Sequence, residues 1–297
     1  MTTRTKPWHG VMVATALPLH DDLSVDYDGY AAHCRWLVEN GCDGVVPNGS
    51  LGEYQTLTPE ERAKVAETAV AAIGGERVMA GVGAYGAAES RRWAEHAREI
   101  GCGSVLALPP NTYRADERAV LEHYRQVAEA GVPVVAYNNP YDTKVDLTPA
   151  LLARLYAEGL IVAVKEFTGD VRRAYELAEL APGLDLLVGS DDVLLELGIA
   201  GAVGWIAGFP NALPAANVAL YRAALARDLD TALPLYRTLH PLLRWDSKIE
   251  FVQAIKLSMD VAGRRGGPCR QPRVPLTEDQ ASAVRAATEK ALAEGIA

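Results

Sequence analysis

Up to residue 226 the chain alternates short apolar runs with longer amphipathic segments. The runs are GVMVATALP at 10–18, DGVVPNG at 43–49, RVMAGVG at 77–83 and SVLALPP at 104–110, then VPVVAYNN at 132–139, IVAVKEF at 161–167, LDLLVGS at 184–190 and AVGWIAG at 202–208. They are rich in Val, Ile, Leu and Ala without polar alternation, the pattern of parallel strands covered on both faces. Between them a helical period runs over 27–40, 59–73, 87–100, 115–130, 149–158, 170–180, 192–199 and 214–226. Asp26 is placed to cap the first of these segments and Gly41 to stop it. Thr58-Pro59, followed by Glu60 and Glu61, suits the start of the second. Eight strand–helix units in alternation, joined by short links, predict a closed (β/α)8 TIM barrel over residues 1–226. An open doubly wound sheet would want a glycine-rich dinucleotide turn after the first strand, and ATALPLHDD is not one. Beyond 226 the strands cease. Helical segments near 229–245, 247–262 and 277–295 predict a C-terminal helical appendage, residues 227–297, packed on the barrel.

Composition narrows the function. At 297 residues and 49% hydrophobic, the chain has ample material for a large core. A formal charge of −9 argues against nucleic acid as a partner. Cys34, Cys42, Cys102 and Cys269 are scattered without CxxC or Cys/His ligand spacing, and no histidine pair lies at i, i+4, so no metal is expected. No apolar run reaches the ~18 residues of a membrane helix. The first ten residues lack the apolar core of a signal peptide. A soluble cytoplasmic protein is expected, with no membrane partner.

Barrel enzymes carry their chemistry at the C-terminal ends of the strands. Lys165 ends the sixth run and is the only lysine on a predicted strand. Desolvation there would leave a neutral amine, a nucleophile for carbonyls and imines; alternatively the side chain snorkels or pairs with a carboxylate. Tyr137 ends the fifth run, and neighbouring strands would set it beside Lys165 as a proton shuttle, or it is simply core. Gly49-Ser50-Leu51-Gly52-Glu53 suits a tight turn whose N–H groups gather around an anion such as a carboxylate, or an ordinary βα turn. In Gly189-Ser190-Asp191-Asp192 an aspartate is expected to cap the next helix.

In that order and spacing, GSLGE at 49–53, YNNP at 137–140, VKE at 164–166, GSDD at 189–192 and GWIAG at 204–208 resemble the dihydrodipicolinate synthase / N-acetylneuraminate lyase family over nearly the whole chain. The resemblance implies a (β/α)8 barrel with C-terminal helices, usually a homotetramer (a dimer of dimers), with no cofactor beyond a covalent lysine imine. It implies Lys165 as the Schiff-base lysine, Tyr137 as the proton-relay tyrosine and Ser50 as the hydroxyl linking that tyrosine to the relay. Gly49, Ser50 and Leu51 then cradle the substrate carboxylate, and Ile206 turns its carbonyl to the site.

Departures from the synthase pattern are specific. Asn111 and Thr112 stand where synthases carry a tyrosine pair, and the neighbouring Tyr113 is a candidate to take over that place. Asp142 occupies the place of an arginine that holds the aldehyde substrate's carboxylate, and Leu51 replaces the second hydroxyl of the GTTGE turn. The strings DVRR at 170–173, NALPA at 211–215 and FVQAIKL at 251–257 look closer to the 1-pyrroline-4-hydroxy-2-carboxylate deaminases. The expected partner is therefore a small 2-oxo acid or pyrroline carboxylate, dehydrated and deaminated through a lysine imine. The alternative is a pyruvate-dependent aldolase or lyase using the same lysine. A non-catalytic scaffold is the third possibility, and Lys165 and Tyr137 together argue against it.

Overall fold

A computed structural model describes residues 6–110 and 114–296. Its eight strands are all parallel: β1 Gly10–Ala14, β2 Gly44–Val46, β3 Met79–Gly81, β4 Ser104–Ala107, β5 Val134–Asn138, β6 Ala163–Glu166, β7 Asp185–Val188 and β8 Gly204–Ala207. Their order is β2-β1-β8-β7-β6-β5-β4-β3, and a parallel bridge from Val45 to Val78 brings the two ends together. This is the (β/α)8 barrel expected from the alternation of apolar runs.

Around it lie α1 Tyr27–Glu39, α2 Pro59–Ile73, α3 Ala87–Glu99, α4 Glu117–Ala128, α5 Pro140–Thr143, α6 Pro149–Ala157, α7 Arg172–Leu180, α8 Leu194–Ile199 and α9 Pro214–Ala226. Asp26 caps α1 by accepting from Gly29 N, and Gly41 follows at φ +95°, a conformation open to glycine. Thr58 and Glu61 form a reciprocal capping box on α2, with Pro59 in its first turn. The strands are shorter than the apolar runs. After Val46, for example, comes Pro47, which has no N–H to continue a ladder. The helical turn α5, straight after Asn139, was not anticipated.

The core has two shells. Met12, Val46, Met79, Leu106, Val135, Tyr137, Ala163, Leu187 and Ile206 fill the barrel interior, with Trp8 below β1. There the Trp8 indole donates to Asp185 at 2.7 Å. The larger shell, between strands and helices, includes Val11, Val13, Val45, Val105, Val134, Val164 and Trp205. Covering both faces explains why the runs lack polar alternation.

The appendage consists of α10 Leu229–Leu243, α11 Phe251–Val261 and α12 Glu278–Ala293. It is pinned across the barrel mouth by Lys256, whose ammonium donates to Glu53 Oε1 and Pro268 O, each at 2.7 Å. Arg270 adds an ion pair to Glu61 at 2.6 Å. Among the described residues no helix is long and apolar enough to cross a membrane.

Candidate active site

A cavity of about 830 Å³ opens at the C-terminal ends of the strands. Gly49, Ser50, Leu51, Tyr137, Lys165 and Ile206 all line it. The six residues singled out from the sequence therefore converge, though they come from four different strand ends.

Lys165 and Tyr137 are register partners across β5 and β6, so both side chains leave the sheet on its inner face at the same height. The Lys165 Nζ lies 4.3 Å from the centre of the Tyr137 ring and 5.6 Å from that of Phe167. The two rings meet edge to face, with centroids 6.1 Å apart. Lys165 is only 6% exposed, and its amine makes no hydrogen bond or ion pair among the described residues. A buried, unpaired ammonium is costly. Burial thus lowers the Lys165 pKa, opposed by the negative charges of Asp246, Asp191 and Asp142. Such an amine is primed to attack an electrophilic carbon.

Tyr137 is also buried, and burial raises its pKa well above the ordinary value, with Asp246 adding to the rise. The phenol keeps its proton and can donate it. Its hydrogen bond comes from Asn139 Nδ2 at 3.3 Å, and the same nitrogen donates to Asp142 Oδ2 at 2.8 Å. Ser50 shares the cavity, but its hydroxyl makes no hydrogen bond to Tyr137. The direct link implied by the resemblance is not formed in this structure. Among the described residues the phenol's partner is Asn139, which donates to its oxygen.

The turn after β2 is bracketed by Asn48 at φ +59° and Glu53 at φ +54°, both unusual for residues with a side chain. Asn48 is held by its Nδ2 bond to Arg62 O at 3.0 Å, and Glu53 by Lys256. The N–H groups of Ser50 and Leu51 donate to nothing among the described residues, which suits them to an incoming anion.

Asp191 is not a helix cap, contrary to expectation. It is fully buried and accepts from Trp205 Nε1 at 2.9 Å, Gly208 N at 3.0 Å and Phe209 N at 3.1 Å. Three donors from the end of β8 outcompete the local helix start. Burial and the Asp246 carboxylate push its pKa up, against the pull of those donors.

Sequence reasoning missed Asp246, in the turn between α10 and α11. It lines the cavity and is the strongest negative influence on Lys165. No local motif marks it. Asp142, by contrast, stands at the exposed rim of the cavity, as its position after YNNP implied. Asn111, Thr112 and Tyr113 lie outside the described residues.

The fold and the buried amine define a barrel enzyme of the lysine-imine type. A family model for the dihydrodipicolinate synthetase family matches residues 7–291, and the chain belongs to that family of class I Schiff-base lyases. It is 34% identical over 281 residues to a 4-hydroxy-tetrahydrodipicolinate synthase of Methanothrix thermoacetophila, covering 94% of this chain and 95% of that protein. The crystal structure of dihydrodipicolinate synthase from Aquifex aeolicus superposes with TM-score 0.90 at 29% identity, covering 97% of this chain and 99% of the other. YagE, a prophage protein of the dihydrodipicolinic acid synthase family from E. coli K12 in complex with pyruvate, superposes with TM-score 0.88 at 26% identity, covering 97% and 99%. These names fit the pyruvate-dependent alternative better than pyrroline carboxylate deamination.

Proposed function

We propose that Lys165 forms an imine with a small 2-oxo acid, and that the chain makes or breaks the adjacent carbon–carbon bond as a pyruvate-dependent aldolase or lyase. The observation that carries this reading is the Lys165 amine, buried against the face of Tyr137 and unpaired among the described residues. The substrate carboxylate sits on Gly49, Ser50 and Leu51, where two backbone N–H groups are uncommitted. The amine attacks C2, and the Tyr137 phenol gives its proton to the departing oxygen as the imine forms. Ser50 supplies a further hydroxyl in the cavity, and Ile206 completes its wall. The reading calls on no group besides the covalent lysine imine. The pyruvate-bound relative supports pyruvate as the carried fragment.

Asp142 favours a second reading. Its carboxylate at the cavity rim, which accepts from Asn139 Nδ2, would repel a second substrate carboxylate and could accept a hydrogen bond from a substrate hydroxyl. That suits 1-pyrroline-4-hydroxy-2-carboxylate. Lys165 would attack the ring imine carbon, and ring opening would leave the enzyme-bound imine. Loss of the hydroxyl as water and hydrolysis would then release ammonia and an oxo-acid semialdehyde.

Parallel assays separate the two. Pyruvate released from 4-hydroxy-2-oxo acids, and abolished by Lys165→Ala, supports the first reading. Ammonia released from the pyrroline, with the same sensitivity, supports the second. Neither product from either panel contradicts both. The assembly we propose, a homotetramer, is read by light scattering of the intact protein, where a monomer mass contradicts it.

A further inference from the structure

We infer that Asp246, carried to the barrel mouth by the C-terminal helices, is the counter-charge of the Lys165 imine. The inference rests on the reading of Lys165 as the imine-forming amine and adds a positioning residue to it.

The geometry singles out this carboxylate. Its Oδ2 accepts the Asp191 N–H at 3.4 Å, and its Oδ1 packs on Gly208, where an added β-carbon would come within 2.9 Å of it. The same point lies 3.4 Å from Asp191 Oδ2, so two carboxylates converge at the end of β8. Asp191 spends its oxygens on the Trp205 indole and the Gly208 and Phe209 N–H groups. Asp246 accepts only the one long bond among the described residues, which leaves it capacity toward the cavity that Lys165 also lines. Glycine at 208 is what makes the approach possible.

Imine chemistry needs such a charge. A neutral amine, a carbonyl and one proton give an iminium and water: the C–N bond forms, the C–O bond breaks, and the oxygen leaves with one proton from the nitrogen and one from the Tyr137 phenol. The nitrogen is uncharged before the step and carries a positive charge after it, and the phenol takes its proton back from solvent. In a buried site with aromatic walls that charge is costly unless an anion faces it. Burial outweighs the pull of Lys165 and holds the Asp246 carboxyl up at about 6, so it is an anion at neutral pH that also accepts a proton readily. The other groups facing the amine are Asp191, Asp142 and the Tyr137 phenol; Asp192 faces Asp246.

The test is borohydride trapping of pyruvate on the full chain from pH 5 to 9, in the parent, Asp246→Asn and Asp246→Glu. Removing the charge raises the pyruvate concentration for half-maximal trapping by about tenfold or more, the equivalent of one pKa unit. It also moves the free-amine limb to lower pH, because a carboxylate that favours the ammonium is gone. Asp246→Glu recovers most of the loss. An Asn variant with the parent's half-saturation and pH midpoint overturns the inference while leaving Lys165 in place. A parent that traps nothing overturns both readings. If circular dichroism shows the Asn variant unfolded, Asp246→Ser is assayed with and without formate. Trapping restored by formate supports the counter-charge, and indifference to it overturns the proposal.

Discussion

Lys165 and Tyr137 are paired residue for residue across β5 and β6, and the lysine nitrogen rests 4.3 Å from the centre of the tyrosine ring. The pairing follows from parallel register, which puts two polar residues that end apolar runs at one height on the inner face. The ring and the rest of the barrel interior strip water from the amine. In turn, the amine's lowered pKa and the phenol's raised one set the two apart as nucleophile and proton donor.

Tyr137→Phe removes the proton and little else, since among the described residues the hydroxyl accepts a single hydrogen bond, at 3.3 Å from Asn139. Turnover should fall by roughly 10²-fold or more, the usual scale for a general acid–base group. The melting temperature should stay within a few degrees of the parent. Steady-state kinetics beside a thermal melt check this, and an unchanged rate removes Tyr137 from the relay.

The site was legible in the sequence where chemistry falls at the end of an apolar run. Lys165, Tyr137, Ile206 and the turn at 49–51 could be placed by counting strands, because the barrel puts all strand ends on one rim. Asp246 could not. It belongs to a turn between appendage helices, and only tertiary packing against Gly208 carries it to the rim. Asp191 was misread for the opposite reason. An aspartate before a helix looks locally like a cap, but the Trp205 indole that binds it comes from the next strand. The Ser50–Tyr137 link rested on resemblance, and among the described residues the phenol's hydrogen-bond partner is Asn139, the residue after the strand.

The pin between appendage and barrel makes a separate prediction. Lys256 and Glu53 are each about 2% exposed, and their side chains meet at 2.7 Å. Lys256→Met keeps the volume but leaves a buried carboxylate facing the Arg270 N–H and the Cys269 thiol, with no cation to balance it. The expected cost is roughly 3–5 kcal/mol in urea denaturation. Because Glu53 anchors the turn at 49–53, the variant should also bind 2-oxo acids more weakly. A loss below ~1 kcal/mol would show that the pin is dispensable.

Acid sensitivity has an identifiable contributor. His33 is buried against Asn211 Oδ1 at 2.9 Å, and burial lowers its pKa to about 4. Unfolded, it titrates near ~6.5, so between about 4 and 6.5 the unfolded chain binds the extra proton and folding stability falls as pH falls. Asp246, with its raised pKa, contributes in the opposite direction over part of that window. A comparison with His33→Gln isolates the histidine. From pH 7 to pH 5 the parent should lose roughly 2 kcal/mol more than the variant. Parallel denaturation curves with equal losses would contradict it.

The most direct test of the account is to incubate the full chain with pyruvate, reduce with sodium borohydride and map the peptides by mass. The account predicts the mass of one reduced pyruvate adduct on the peptide carrying Lys165, and none in Lys165→Ala. An unmodified chain, or the adduct on a different lysine, would contradict it.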